Sequence, residues 1–179
     1  MRAHLLVGEE KKAARVKDEL LKRFPARPLT LLARVRLELA GRWGAKSAKE
    51  LELSDPVWSG SAPRLQAEGL TLRARAWFDE RAWDKAKADL LAAQELAPSA
   101  EASYWLGRVY LETGRAAQAL IELEASALLD AAQVELWFFL GEARRAVGDV
   151  ARAQEGYRMY LLRAQNGEYA ARARRALPP

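Results

Sequence analysis

Two pairs of neighbouring carboxylates, Glu122 with Glu124 and Asp79 with Glu80, are the residues whose types and spacing could support general acid–base chemistry. Each pair falls in an amphipathic helical pattern, where paired carboxylates ordinarily form a solvated face. Gly107, Gly114, Gly141 and Gly148 do not make a phosphate-binding loop, because they are spread over a long period. No strand pattern precedes them and no Gly-Lys-Ser/Thr follows. The chain has no cysteine, which excludes disulfides, thiolate catalysis and Cys-ligated zinc. Its single histidine, His4, stands near the first residue and reads as solvated. The expectation is a protein that is not an enzyme, with no catalytic residue, no cofactor and no metal.

The elements that carry these residues are helical. The chain has 179 residues, 50% of them hydrophobic and 30% charged, which suits a folded domain with a real core. Prolines and glycines fall mostly between apolar helical runs, and no segment alternates like a strand for long. No apolar run approaches the roughly 18–20 residues of a membrane span, and residues 1–8 are too short in apolar core for a signal peptide. A net charge of +5 favours acidic partners only mildly. Arginine outnumbers lysine and alanine is abundant, a bias that fits a GC-rich bacterial genome.

Residues 100–163 repeat themselves. Ser103-Tyr104-Trp105-Leu106-Gly107 aligns with Trp137-Phe138-Phe139-Leu140-Gly141 at an offset of 34, which also carries Gly114 onto Gly148 and Ala119 onto Ala153. Such a period signals stacked helical hairpins. Leu106, Gly107 and Tyr110 share one face of a first helix, and Gly107 admits a second helix closely. Gly114 suits a left-handed helix stop. Ala119, Leu123 and Ser126 then face back toward the first helix, a pattern repeated by Ala143, Val147, Val150, Ala153 and Tyr157.

On these residues the sequence resembles the tetratricopeptide repeat family, whose signature is W-x-x-L-G-x-x-Y, then A-x-x-x-F, then P. The second copy supplies Trp137, Leu140, Gly141, Ala153 and Tyr157; the first supplies Leu106, Gly107, Tyr110, Ala119 and Leu123. Ser103 stands in the Trp slot, Arg144 in the second Tyr slot, and Ala131 and Gln165 where the closing Pro is common. The resemblance implies an all-α, right-handed α-solenoid of antiparallel helical hairpins, with a C-terminal capping helix.

Along the chain, residues 8–25 read as a half repeat, so that the chain begins inside a repeat. That suits a fragment of a longer protein or an unusual N-terminal cap. Residues 26–56 read as a degenerate repeat whose register, set by Ala33 or by Trp43, stays open. The breaker-rich residues 57–63 form an irregular junction around Trp58. Residues 64–98, 100–132 and 134–165 are three further repeats, and residues 168–177 a basic capping helix, all within a single domain spanning 1–179.

The resemblance also implies a binding role, with first helices lining a concave surface. Carried over by position, that surface takes Thr71, Tyr104 and Phe138, then Trp105 and Phe139, then Arg75, Arg108 and Glu142, then Phe78, Leu111 and Arg145. Leu72 falls beside them, and Thr30 and Arg34 join in the Ala33 register. Two readings stand for Tyr104-Trp105 and Phe138-Phe139. Either Trp105 and Phe139 pack on neighbouring helices, or the pairs form an aromatic floor flanked by Arg75 and Arg108 for an apolar segment with acidic residues. Aromatic anchors favour such a floor, since each can carry about 2 kcal/mol against about 0–1 kcal/mol for an exposed ion pair.

The carboxylate clamp by which some relatives hold chaperone tails needs Lys and Asn where this chain has Thr71, Arg75 and Tyr104, so such a ligand is not expected. The function expected is a protein–protein interaction scaffold or adaptor in a bacterial assembly such as secretion, pilus or envelope assembly, motility or signalling. The alternative is a structural subunit that self-associates through its N-terminal half repeat. RNA binding ranks below both, because the arginines fall on different faces among acidic residues. The compartment expected is the cytoplasm, with the periplasm as the alternative.

Overall fold

The computed structural model describes residues 60–178 together with positions 15, 19, 22, 23 and 32. Among these residues the structure is all-α. Its helices are α1 (Pro63–Asp79), α2 (Trp83–Leu96), α3 (Ala100–Glu112), α4 (Ala116–Leu129), α5 (Val134–Ala146), α6 (Val150–Arg163) and α7 (Ala170–Arg175). Apart from those five positions, the half repeat 8–25 and the degenerate repeat 26–56 lie outside the described residues, as do His4, Thr30, Arg34 and Trp58. By contacts the chain divides into two compact units, Met1–Ala97 and Pro98–Pro179.

In the first unit α1 packs on α2. The pair is antiparallel, since Arg73 meets Asp89 while Trp77, one turn on, meets Lys85, one turn back. The Arg73 guanidinium grips the Asp89 carboxylate through both arms, Nε to Oδ2 at 2.7 Å and Nη2 to Oδ1 at 2.6 Å. Lys85 Nζ lies 4.6 Å from the Trp77 ring centre. Phe78 and Trp83 meet edge to face at 5.0 Å across the turn, and Ala74, Ala76, Ala86, Leu90 and Ala93 are fully buried.

The second unit uses one hairpin design twice. α3 packs on α4 and α5 on α6, while α4 also packs on α5 and α7 closes against α6. Small residues set the spacing. A Cβ at Gly107 would come within 2.6 Å of Leu123 Cγ, and one at Gly141 within 2.7 Å of Tyr157 Cε1. Ala119 and Ala153 occupy the facing positions and are fully buried or nearly so. Ser126 points to α3 as its position requires, its Oγ donating to the Ala100 carbonyl at 2.8 Å. Val147 and Val150 do not follow the expected pattern. Both are exposed, on either side of the turn around Gly148.

The turns inside the hairpins share one hydrogen-bond scheme. Gly114 (φ 72°) and Gly148 (φ 89°) are left-handed. The amides of Gly114 and Arg115 donate to the carbonyls of Leu111 and Tyr110, and those of Gly148 and Asp149 to Arg145 and Arg144. These bonds satisfy the last carbonyls of α3 and α5. The first hairpin makes the same turn without glycine. Arg81 takes φ 59°, and the Arg81 and Ala82 amides donate to Phe78 and Trp77. A side chain there crowds its own backbone, at about 1 kcal/mol or more. Arg81→Gly is therefore expected to stabilise the protein by about 0.5–1 kcal/mol after the entropy of a freer unfolded chain is subtracted. Urea denaturation would read this as a higher midpoint with unchanged slope.

Candidate functional site

The residues expected to line a binding surface divide by burial. Phe138 is 0% exposed, Tyr104 2% and Thr71 3%, and Trp105, Phe139 and Phe78 are buried as well. They are buried in the interior of the free chain, which is the first of the two readings of Trp105 and Phe139. Thr71 turns its hydroxyl back to the Ala67 carbonyl at 2.8 Å, and Phe78 lies against Trp83. In the second unit Tyr104 meets Trp105 at 5.4 Å and Phe139 at 5.9 Å, edge to face. The C-terminal segment then covers the row: Tyr169 stacks on Phe138 at 4.6 Å and meets Phe139 edge-on at 5.1 Å.

Arg108 lies over these rings. It is half-buried, its guanidinium 4.4 Å from the Phe139 ring centre, 4.7 Å from that of Trp105 and 5.7 Å from that of Tyr104. That cation–π stack seals the aromatic row. Arg75, on the other unit, is half-buried on α1.

A recess of about 270 Å³ lies open between the last turns of α3 and α5 and the helix α7. Leu111, Phe139, Ala146, Glu142, Arg145 and Arg172 line it, with Glu112 at its edge. Glu142, Arg145 and Arg172 also line an adjoining recess of about 380 Å³ completed by Arg175 and Ala176. Four of the expected residues, Leu111, Phe139, Glu142 and Arg145, thus meet at one place. Arg172 and Arg175 join them from outside the expected set. Their only signal in the sequence is the basic exposed side of the last helix, which reads there as a cap alone.

Glu142 is the electrostatic centre of the recess. Its Oε1 accepts from the Tyr157 hydroxyl at 2.5 Å, and its Oε2 accepts from Arg172 at 3.0 Å and Arg145 at 3.4 Å. Burial, reinforced by this hydrogen bond, pushes the Tyr157 phenol up to about 12. Burial likewise raises the phenols of Tyr104 and Tyr169. The Tyr157 hydroxyl and the Glu142 carboxylate hold Arg145 above its ordinary value.

These phenols favour the protonated form when folded. The unfolded chain loses their protons first as pH rises, so their contribution is intact below about pH 10 and declines through about pH 12. Denaturation midpoints measured from pH 8 to 12 are expected to fall above pH 10, and more gently in Tyr157→Phe. A midpoint level to pH 12 would contradict this.

No group of three or more His, Cys, Asp or Glu side chains among the described residues is arranged to hold a metal ion. No helix among them is long and apolar enough to cross a membrane.

No protein-family model matches the chain, and no curated protein matches its sequence. Solved structures do match. TTC0263, a thermophilic TPR protein of Thermus thermophilus, aligns with TM-score 0.67 and 21% identity over 96% of this chain and 92% of its own. The Cut9–Hcn1 hetero-tetramer of APC/C aligns with TM-score 0.77 and 17% identity over 98% of this chain, which spans only 35% of the matched one. The first TPR of Spaghetti (RPAP3), solved with the HSP90 peptide SRMEEVD, aligns with TM-score 0.59 and 17% identity over 63% of this chain and 91% of its own. The protein has the tetratricopeptide-repeat fold, in agreement with the W-x-x-L-G pattern and its 34-residue period.

Proposed function

We propose that the protein is a non-catalytic interaction module that holds a segment of another protein against the inner face of α3 and α5. The observation that carries this reading is the recess at Leu111, Phe139, Glu142, Arg145 and Arg172. It offers apolar surface beside guanidinium groups and so suits an apolar segment carrying acidic residues. Burial of the aromatic row supports a rigid platform for such contact, since Phe139 brings an edge to the recess without having to move. The fold supports it as well, because a TPR domain of similar structure was solved with a bound peptide. An adaptor role within a bacterial assembly is the setting we propose.

Affinity capture from the source-cell lysate tests the reading. The full chain would be compared with the double variant Leu111→Asp, Arg145→Glu, both confirmed helical by circular dichroism. Selective loss of one captured protein from the variant is the expected result. Equal capture by both would remove the recess as the binding site and leave self-association or the opposite helix faces as the alternatives.

A further inference from the structure

Resting on the reading just given, we infer that the recess binds its ligand with a fixed polarity. An apolar side chain seats at Leu111 and Phe139, and a doubly charged anionic group, either two adjacent carboxylates or one phosphate, seats at Arg145, Arg172 and Arg175. The two ends differ in chemistry. Leu111, Phe139 and Ala146 form the apolar end, and Arg175 with Ala176 the other. Glu142, Arg145 and Arg172 join them.

Charge decides what the second end accepts. Its lining brings three guanidiniums to one carboxylate, and that carboxylate already accepts from Tyr157, Arg145 and Arg172. A surplus of two positive charges remains at that end, while the Glu112 carboxylate lies at the other. A monoanion would leave one uncompensated, whereas a dianion balances both, and planar guanidinium groups suit paired oxygens. The arginines are also placed in advance. Arg172 is held by Glu142 and by the Phe138 ring, 5.0 Å from its Cζ, and Arg175 Nε donates to the Ala171 carbonyl at 3.3 Å. Less side-chain freedom is then lost on binding. The site still reaches water, since the Arg145 and Arg172 side chains are 60% and 55% exposed. These are different residues from the Thr71, Arg75 and Tyr104 slots of the chaperone-tail clamp, and two of them belong to α7.

Nuclear magnetic resonance titration of the full chain tests this with short probes, because a minimal ligand of this size is expected to bind only at about millimolar strength. Three capped tripeptides would be used, each a leucine followed by two glutamates, by phosphoserine and glycine, or by two glutamines. The diglutamate and phosphoserine probes are expected to shift the Arg172 and Arg175 side-chain Nε–H signals saturably. The diglutamine probe should shift only the backbone near Leu111 and Phe139, with about tenfold weaker affinity. Arg175→Glu, at an exposed position, should remove the arginine response and keep the leucine response; Arg172→Gln should weaken it.

A response to phosphoserine alone would assign the dianion to phosphate, and to diglutamate alone to paired carboxylates. Equal binding of all three probes, or shifts spread over unrelated arginines such as Arg115, Arg152 and Arg158, would overturn the polarity while leaving the recess as a binding surface. No shift near Leu111 and Phe139 with any probe would remove the binding reading itself.

Discussion

Replacing Phe138 by alanine is expected to cost about 3–5 kcal/mol of folding stability. Its ring is fully buried and meets Phe139, Tyr157, Tyr160 and Tyr169 at centroid distances between 4.6 and 5.8 Å. Alanine would leave a cavity where α5, α6 and the C-terminal segment converge, and Tyr169 and Arg172 would lose the surface on which they rest. Chemical denaturation of the purified variant measures this directly, with a large drop in midpoint expected. The contrary result, native stability with lost partner binding, would restore the open aromatic floor and place Phe138 on the ligand. Phe138→Leu keeps most of the volume and should recover more than half of the loss.

The second large effect is expected at Gly156, in the middle of α6. A Cβ there would lie 2.8 Å from the Trp137 carbonyl oxygen, 2.9 Å from the Gly141 nitrogen and 3.1 Å from the Gly141 Cα. All three are backbone atoms of α5, so no side chain can swing aside. The helices would have to separate along the seam that also holds Tyr157 against Gly141. Overpacking of a close-packed interior costs about 1–3 kcal/mol, and the rigid obstacle places Gly156→Val at or above the top of that range. Gly156→Ala is the sharper comparison. Helix propensity alone would make it stabilising by about 1 kcal/mol, whereas the contact makes it destabilising, so the sign of the change in midpoint decides. Gly107→Ala should be milder, because its nearest neighbours are the Leu123 side-chain atoms.

Much of the fold is legible in the chain because it is written twice. The Leu-Gly pairs at Leu106-Gly107 and Leu140-Gly141, the turn glycines Gly114 and Gly148, and the alanines Ala119 and Ala153 each meet the same physical demand in successive hairpins. Where a demand is met by a different residue, the pattern hides it. The left-handed turn after α1 falls on Arg81, which no local signal distinguishes from a surface arginine. Gly156 sits inside a helical run and resembles a weak point until the Trp137 carbonyl is seen against it.

The candidate site is half legible for a related reason. Position along α3 and α5 brings Leu111, Phe139, Glu142 and Arg145 to one recess. The same positions cannot show that Tyr169 returns to cover Phe138, or that Arg108 folds over Trp105 and Phe139. Those are contacts between segments far apart in sequence, and the repeat pattern says nothing about them. Arg172 escapes sequence reasoning because α7 follows the last full repeat, where the family signature has already ended.

Hydrogen–deuterium exchange of the full chain with and without its captured partner tests the central claim most directly. A segment held in the recess should protect the last turns of α3 and α5, around Leu111 and Arg145, together with α7. The faces of α4 and α6 that carry the exposed Leu128 and Leu162 should exchange unchanged. Protection confined to those α4 and α6 faces, with the recess exchanging as it does in the free protein, would contradict the account.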